Sequence, residues 1–224
     1  LPTAALAEDV QPEPLTEVAV TFPAPQAGDK IRDSIRTAAA NPDSLTCKKA
    51  TCALWEDGTS KELQSGTVYE KGRAYMLLFR FQTDASLDAL AAVTCNGQSV
   101  TLLTGEDATE TVVLERMKNW DGTQDTYYAY TMDRGGQNEL WLFAFVHVPL
   151  TTAEVSTADA LRTAIATGTD DIVKLTDDIT ITARLDIQRD VTVDLNGYVL
   201  RYDAAADPDS IFRVKAGKLT LTDS

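Results

Sequence analysis

From residue 172 to residue 224, apolar and polar positions alternate in short β-branched runs, each closed by Asp, Asn or Gly. The runs are Leu175-Thr-Asp-Asp-Ile-Thr-Ile-Thr182, Val191-Thr-Val-Asp-Leu-Asn-Gly197 and Lys218-Leu-Thr-Leu-Thr-Asp-Ser224. A period of two is the strand signature. It places Ile179 and Ile181, then Val191, Val193 and Leu195, then Leu219 and Leu221, on inward faces. Asn196-Gly197 predicts a tight turn, because both residues tolerate positive φ. Short strands that return after polar turns predict stacking, each coil burying the apolar face of its neighbour. The coils are irregular, and residues 202–210 read as a loop thrown out from one of them. A solenoid needs about three repeats to be stable. This one reaches Asp223-Ser224 without a closing cap, so the expectation is a truncated solenoid that continues in the natural protein.

Upstream, residues 45–148 carry a different β pattern. The predicted strands are Thr46 to Trp55, Gly66 to Tyr69, Ala74 to Gln82, Ala92 to Cys95, Ser99 to Leu103, Thr111 to Arg116, Thr126 to Met132 and Glu139 to His147. Turn chemistry separates several of them, at Glu56-Asp-Gly58, Glu70-Lys-Gly72, Asn96-Gly97 and Arg134-Gly-Gly136. Strands at this spacing predict an antiparallel β-sandwich. Met76 to Phe81 and Leu140 to Val148 are apolar on both faces and should be central. A first strand is expected at Glu17 to Phe22. A short helix is expected within 29–40, where Ile31 and Ile35 stand four apart before Asn41-Pro42.

Pro149-Leu-Thr-Thr-Ala153 reads as the junction between two domains. Beyond it Ser156-Thr-Ala-Asp159 is a variant capping box, Leu161 and Ile165 share a face, and Gly168 sits at a C-terminal stop. A helix from about Thr157 to Thr167 is therefore predicted. The organisation expected is a leader at 1–14, a β-sandwich at 15–149, and a cap helix with first coils at 150–224.

Composition narrows the partners. The chain has 34 acidic against 20 basic residues, a formal charge of -14. Such a chain repels phosphate backbones and anionic lipid, which argues against nucleic acid and membrane surfaces. No apolar run approaches the roughly 18 residues of a membrane helix. Ala5-Leu6-Ala7 fits the small-x-small pattern of a secretory cleavage site, and residues 8–15 are polar and Pro-rich. The N-terminus is accordingly read as a signal-peptide remnant and flexible leader, and the protein as secreted or displayed at the cell surface. An ordinary Ala-rich tail is the competing reading. Of three cysteines, Cys47 and Cys52 would lie about 17 Å apart on a straight strand at ~3.3 Å per residue. A bridge between them needs a turn at Lys48-Lys49-Ala50; buried free thiols are the alternative.

Residues 153–224 resemble the N-terminal start of a right-handed parallel β-helix of the pectate-lyase-like class, found in exported bacterial proteins. The resemblance rests on Ala158-Asp-Ala-Leu-Arg-Thr-Ala-Ile165, Ile172-Val-Lys-Leu-Thr-Asp-Asp-Ile179, Val191-Thr-Val-Asp-Leu-Asn-Gly-Tyr198 and Phe212-Arg-Val-Lys-Ala-Gly-Lys-Leu-Thr-Leu221. It implies that the helix plugs the open end of the solenoid. Residues 15–148 resemble, in layout, the β-sandwich modules that precede such repeats in Gram-positive surface proteins. The fold class expected is mainly β: an antiparallel β-sandwich followed by a helix-capped, truncated parallel β-helix.

Candidate chemistry is sparse. Asn119-Trp-Asp-Gly-Thr-Gln-Asp125 places Trp120, Asp121 and Asp125 in one polar loop, with Tyr128 shortly after. Trp120 can stack on a sugar, and the two carboxylates can accept sugar hydroxyls or ligate Ca²⁺. The alternative is a Trp folded back on its sheet. Trp55 and Trp141 lie in strand patterns and are expected in the core, and His147 is read as a core or strand-edge residue. The loop lacks the acid spacing of an EF-hand, and one histidine leaves no zinc cluster, so no metal or other cofactor is expected. The coil carboxylates Asp177, Asp178, Asp186, Asp190, Asp194, Asp203, Asp207 and Asp209 form no diagnostic pair, and turn preference accounts for several. Two functions are carried forward. One is a non-catalytic module that binds extracellular glycan or protein, or spaces other modules. The other is part of a carbohydrate-active β-helix enzyme whose site lies beyond residue 224. Self-association through the last coils is expected in either case.

Overall fold

The computed structural model describes residues 12–64, 66–203 and 210–224. It is mainly β, with 44% strand and 12% helix arranged in several sheets. The chain divides into two units, one ending at Val148 and the other beginning at Pro149. The leader at residues 1–11 and most of the loop at 202–210 lie outside the described residues. Among the described residues no helix is long and apolar enough to cross a membrane.

The first unit contains β1 (Glu17–Thr21), α1 (Ile31–Ile35), β2 (Ala39–Asn41), β3 (Thr46–Glu56), β4 (Thr59–Glu62), β5 (Ala74–Thr83), β6 (Ala92–Cys95), β7 (Gln98–Ser99), β8 (Thr101–Leu103), α2 (Glu110–Met117), β9 (Thr126–Asp133) and β10 (Asn138–His147). They form a four-stranded sheet, β2-β1-β6-β7, and a six-stranded sheet, β4-β3-β5-β10-β9-β8. One buried cluster takes Val18 and Val20 from the first sheet and Leu77, Phe79, Leu140 and Leu142 from the second. The opposite face of the six-stranded sheet packs Met76, Phe143 and Phe145 against Val113 and Met117 of α2. β5 and β10 are thus central and covered on both faces, which is why their sequences are apolar without alternation.

Several elements differ from the sequence expectation. Neither sheet is wholly antiparallel, since β1 pairs parallel with β6 and β8 parallel with β9. Thr111 to Arg116 is not a strand but lies inside α2. Its β-branched residues favoured a strand, yet Thr109 accepts a hydrogen bond from the Val112 N–H and caps a helix. Val113 and Met117, four apart, then share its buried side. The helix near residue 30 stops at Ile35, and Ala39–Asn41 pairs with β1 instead. Gly66 to Tyr69 makes only a bridge from Val68 to Lys30. Ser99 to Leu103 breaks at Val100, where the chain leaves one sheet for the other. β3 runs unbroken through Cys47 and Cys52, with a bulge near Lys49 in place of a turn. The condition for a disulfide is therefore unmet, and all three cysteines are free thiols. Burial pushes Cys52 and Cys95 up to about 12, so neither is a ready nucleophile.

The second unit contains β11 (Thr152–Val155), α3 (Ala158–Ala166), β12 (Ile172–Leu175), β13 (Ile179–Ile181), β14 (Leu185–Ile187), β15 (Val191–Asp194), β16 (Leu200–Tyr202), β17 (Phe212–Val214) and β18 (Leu219–Thr222). Every pairing here is parallel: β11-β12-β15-β18, β13-β16 and β14-β17. Ile179, Ile181, Val191 and Val193 are buried, as the alternation requires. Leu195 and Leu219 are half-buried. Leu221, expected inward, is 55% exposed, because β18 is the last strand of its stack and no described strand pairs beyond it. Asn196 and Gly197 adopt φ of 50° and 77° and turn the chain toward β16 rather than closing a hairpin.

α3 docks on the same core through Leu161 and Ile165, each contributing roughly 2 kcal/mol by burial. Its cap is Thr157, one residue later than expected, with the Oγ1 accepting from Ala160 N. The other end is held by Arg189, whose guanidinium donates to the Ala164 carbonyl at 3.0 Å and the Asp170 carbonyl at 2.7 Å. A cation there satisfies a helix C-terminal carbonyl and opposes the negative end of the helix dipole.

Candidate ligand-binding cleft

Three glycine turns of the first unit converge on a cleft of about 670 Å³. One is the β3–β4 hairpin at Asp57-Gly58, with φ of 52° and 71°. The second ends at Gly72 and the third holds Gly122, at φ of 71° and 73°. Gly58 is required sterically as well as conformationally, because a Cβ there would sit 2.5 Å from the Lys118 carbonyl oxygen. This contact seats the hairpin against the chain just after α2. The volume lies within the range of small-ligand sites.

The walls are polar with an aromatic element. Trp55, only 6% exposed, belongs to the hydrophobic support, packing edge-on to Phe145 at 5.0 Å. Trp120 is half-buried: it leans on Phe145 at 5.8 Å and its Nε1 donates to the Gln124 carbonyl at 2.9 Å. The ring is thus folded back and fixed while still lining the cleft. Glu56 is held by Lys61 and, at 2.9 Å, by Arg73. The Lys61 hydrogen bond first, and the Arg73 charge after it, keep its carboxyl below the usual glutamate range. Asp57, Lys118, Asn119 and His147 complete the hydrogen-bonding groups.

The four residues singled out from sequence do not act together. Trp120 and Asp121 line the cleft. Asp121 accepts from the Thr123 N–H at 2.9 Å and hydroxyl at 2.8 Å, which hold its carboxyl below the usual range. Asp125 lies at the root of the loop, accepting from His147 N at 3.2 Å and, at 3.4 Å, from the Tyr127 hydroxyl. Tyr128 sits on the sheet face covered by α2 and does not line the cleft. The Ca²⁺ role considered for the pair finds no geometry: among the described residues no three acidic, His or Cys side chains cluster to hold a metal ion.

Sequence reasoning missed Glu56, Arg73, Lys118 and His147 as neighbours of Trp120. The available signal was the three glycine turns, but only the sheet shows that they share one end. Trp141 is not fully buried; it stacks on Tyr130 at 5.8 Å, with the Arg80 guanidinium 5.9 Å from its ring centre. In the second unit several of the coil carboxylates are engaged structurally. Asp178 accepts from Val199 N and Arg201, Asp186 from Arg213, and Asp194 from Ser224. Asp207 and Asp209 lie outside the described residues. No family model, curated protein or solved structure matches this chain.

Proposed function

We propose that this chain is a non-catalytic module of an exported or cell-surface protein and that it binds a glycan in the cleft of its first unit. The observation that carries the proposal is Trp120, a fixed and partly open indole among hydrogen-bonding groups borne on three turns. Sugars present apolar C–H faces and hydroxyl rims, and this combination complements both. On the same reading the two sheets of the first unit form a β-sandwich and the second unit is a helix-capped set of parallel β-helix coils. Uniform parallel pairing in three stacks around one core supports the latter.

Affinity electrophoresis through soluble glucans, mannans and galactans tests the cleft. At least one polymer should retard the protein. Asn119→Ala, at an exposed position, should weaken that retardation several-fold with an unchanged Tm. Trp120→Ala should abolish it while lowering stability by about 1–2 kcal/mol, since the ring also packs on Phe145. Retardation by none of the polymers, or retardation indifferent to both changes, would refute the proposal.

Self-association is proposed for the far end of the second unit. β16, β17 and β18 each end a stack, and Val214 and Leu221 are 52% and 55% exposed there. Unpaired strand edges beside apolar side chains recruit another chain. Sedimentation velocity should show a dimer that grows with concentration and disappears in Val214→Lys/Leu221→Lys. A parent protein that stays monomeric at high concentration would count against it.

A further inference from the structure

β3 is eleven residues long, but β4 pairs only with its last four, Ala53 to Glu56. Over residues 46–52 the strand has β5 on one side and, among the described residues, no strand on the other. Among the described residues no backbone hydrogen bond from a loop or turn reaches that side either. Backbone groups alternate in direction along a strand, so residues at alternate positions here present N–H and C=O groups outward.

Two hollows lie end to end along this edge, between β3 and α1, and share Ala50. The first, of about 300 Å³, has an aliphatic floor of buried Ile31 and Ile35 from α1, with Leu63 beside them. The second, of about 360 Å³, is lined by Arg36, Cys47, Lys48, Lys49 and Ala50, and no acidic residue lines it. Arg36, Lys48 and Lys49 are exposed. Among the described residues none of the three has an ion pair or a hydrogen bond through its charged end. Neither hollow shares a lining residue with the Trp120 cleft.

We propose that an extended peptide of a partner protein docks here as an added strand beside residues 46–52. It carries an aliphatic side chain for the first hollow and carboxylates for the second. An unpaired edge supplies main-chain hydrogen bonds, and pockets beside it read alternate side chains. Open edges invite aggregation, and this one is guarded by the bulge near Lys49 and by two lysines. Those guards select a partner. A second copy pairing through the same edge would bring Lys48 and Lys49 against like charge, whereas an acidic strand meets charge of opposite sign. The formal charge of -14 does not prevent this, because at physiological salt charges beyond about 8 Å are screened.

The test uses the whole chain and a fluorescein-labelled peptide, Val-Thr-Asp-Thr repeated three times, read by fluorescence polarisation. The strand period puts its Val and Asp side chains on one face in either direction of pairing. Saturable binding is expected. Lys48→Glu/Lys49→Glu, at exposed positions, should weaken it about tenfold with unchanged circular dichroism and Tm. The same variant should bind a peptide with Lys in place of Asp more tightly than the parent does, a gain that misfolding would not produce. A peptide N-methylated at every residue loses its main-chain donors and should not bind, whereas charge attraction alone would survive the change. No saturable binding, equal affinity in the double variant, or equal affinity for the N-methylated peptide would overturn the proposal.

Discussion

Glu139→Ala is expected to destabilise the first unit by about 2–4 kcal/mol. Glu139 lies on β10 at 1% exposure, an unusual place for a carboxylate. It is tolerated because three groups converge on it. Gln82 Nε2 donates to Oε1 at 2.6 Å, Trp141 Nε1 donates to Oε2 at 2.9 Å, and the Arg80 guanidinium lies 3.7 Å away. Removing the acceptor strands two donors and a half-buried cation, and the missing methylenes leave a void. Glu139→Gln keeps an acceptor and should cost less. Burial is the largest single influence on this carboxyl and pushes it up, but the Gln82 and Trp141 hydrogen bonds and the Arg80 charge together outweigh it. The net pKa is lowered from the ordinary 4.5. A lowered folded value means the stabilisation is complete above pH 4.5 and is lost as pH falls through the folded value. All three tryptophans lie in the first unit, so urea unfolding followed by Trp fluorescence reports on that unit alone. The gap between parent and Glu139→Ala should be widest near neutrality and narrow in acid. Equal midpoints at neutral pH would show that the cluster contributes nothing.

Gly217→Ala should loosen the second unit by about 3 kcal/mol. Gly217 has φ of 74°, and a Cβ there would meet the Arg189 carbonyl carbon at 2.4 Å and the Asp190 N at 2.7 Å. These are backbone atoms with nowhere to retreat. Arg189 also anchors the end of α3 through Ala164, so displacing its backbone loosens the helix from the coils. Hydrogen exchange should therefore quicken across residues 158–195 while the first unit keeps its protection. A substitution at Gly136, where a Cβ would meet nothing within 4 Å, carries the φ penalty without the clash and serves as a control. Unchanged exchange in Gly217→Ala would show that the coil accommodates the methyl group.

Legibility is uneven along the chain. Alternation alone located β13, β15 and β18, and the doubly apolar runs marked β5 and β10 as central, because strand period and two-sided burial leave direct traces in residue order. The pattern around Thr111-Val112-Val113 misled, because intrinsic β preference is weak beside a helix cap and a sheet face waiting to be covered. Trp120 and Asp121 were legible as candidates, since an indole in a polar loop is conspicuous. Their neighbours Glu56, Arg73 and His147 were not. They come from positions far apart in sequence and meet only because β3 and β10 finish, and β5 begins, on the same side of one sheet. Glu139 read as an ordinary strand residue; its burial and its partners on β5 depend on register, which no local pattern encodes. The same holds for Arg213 and Lys215 at Asp186, brought together by the pairing of β14 with β17 although β15 and β16 lie between them in sequence. By itself the sequence determined where most of the strands form, which faces most of them bury and the strongly acidic balance. The tertiary structure alone decided which polar side chains share a space, because that depends on strand order and register between segments that no short-range interaction links.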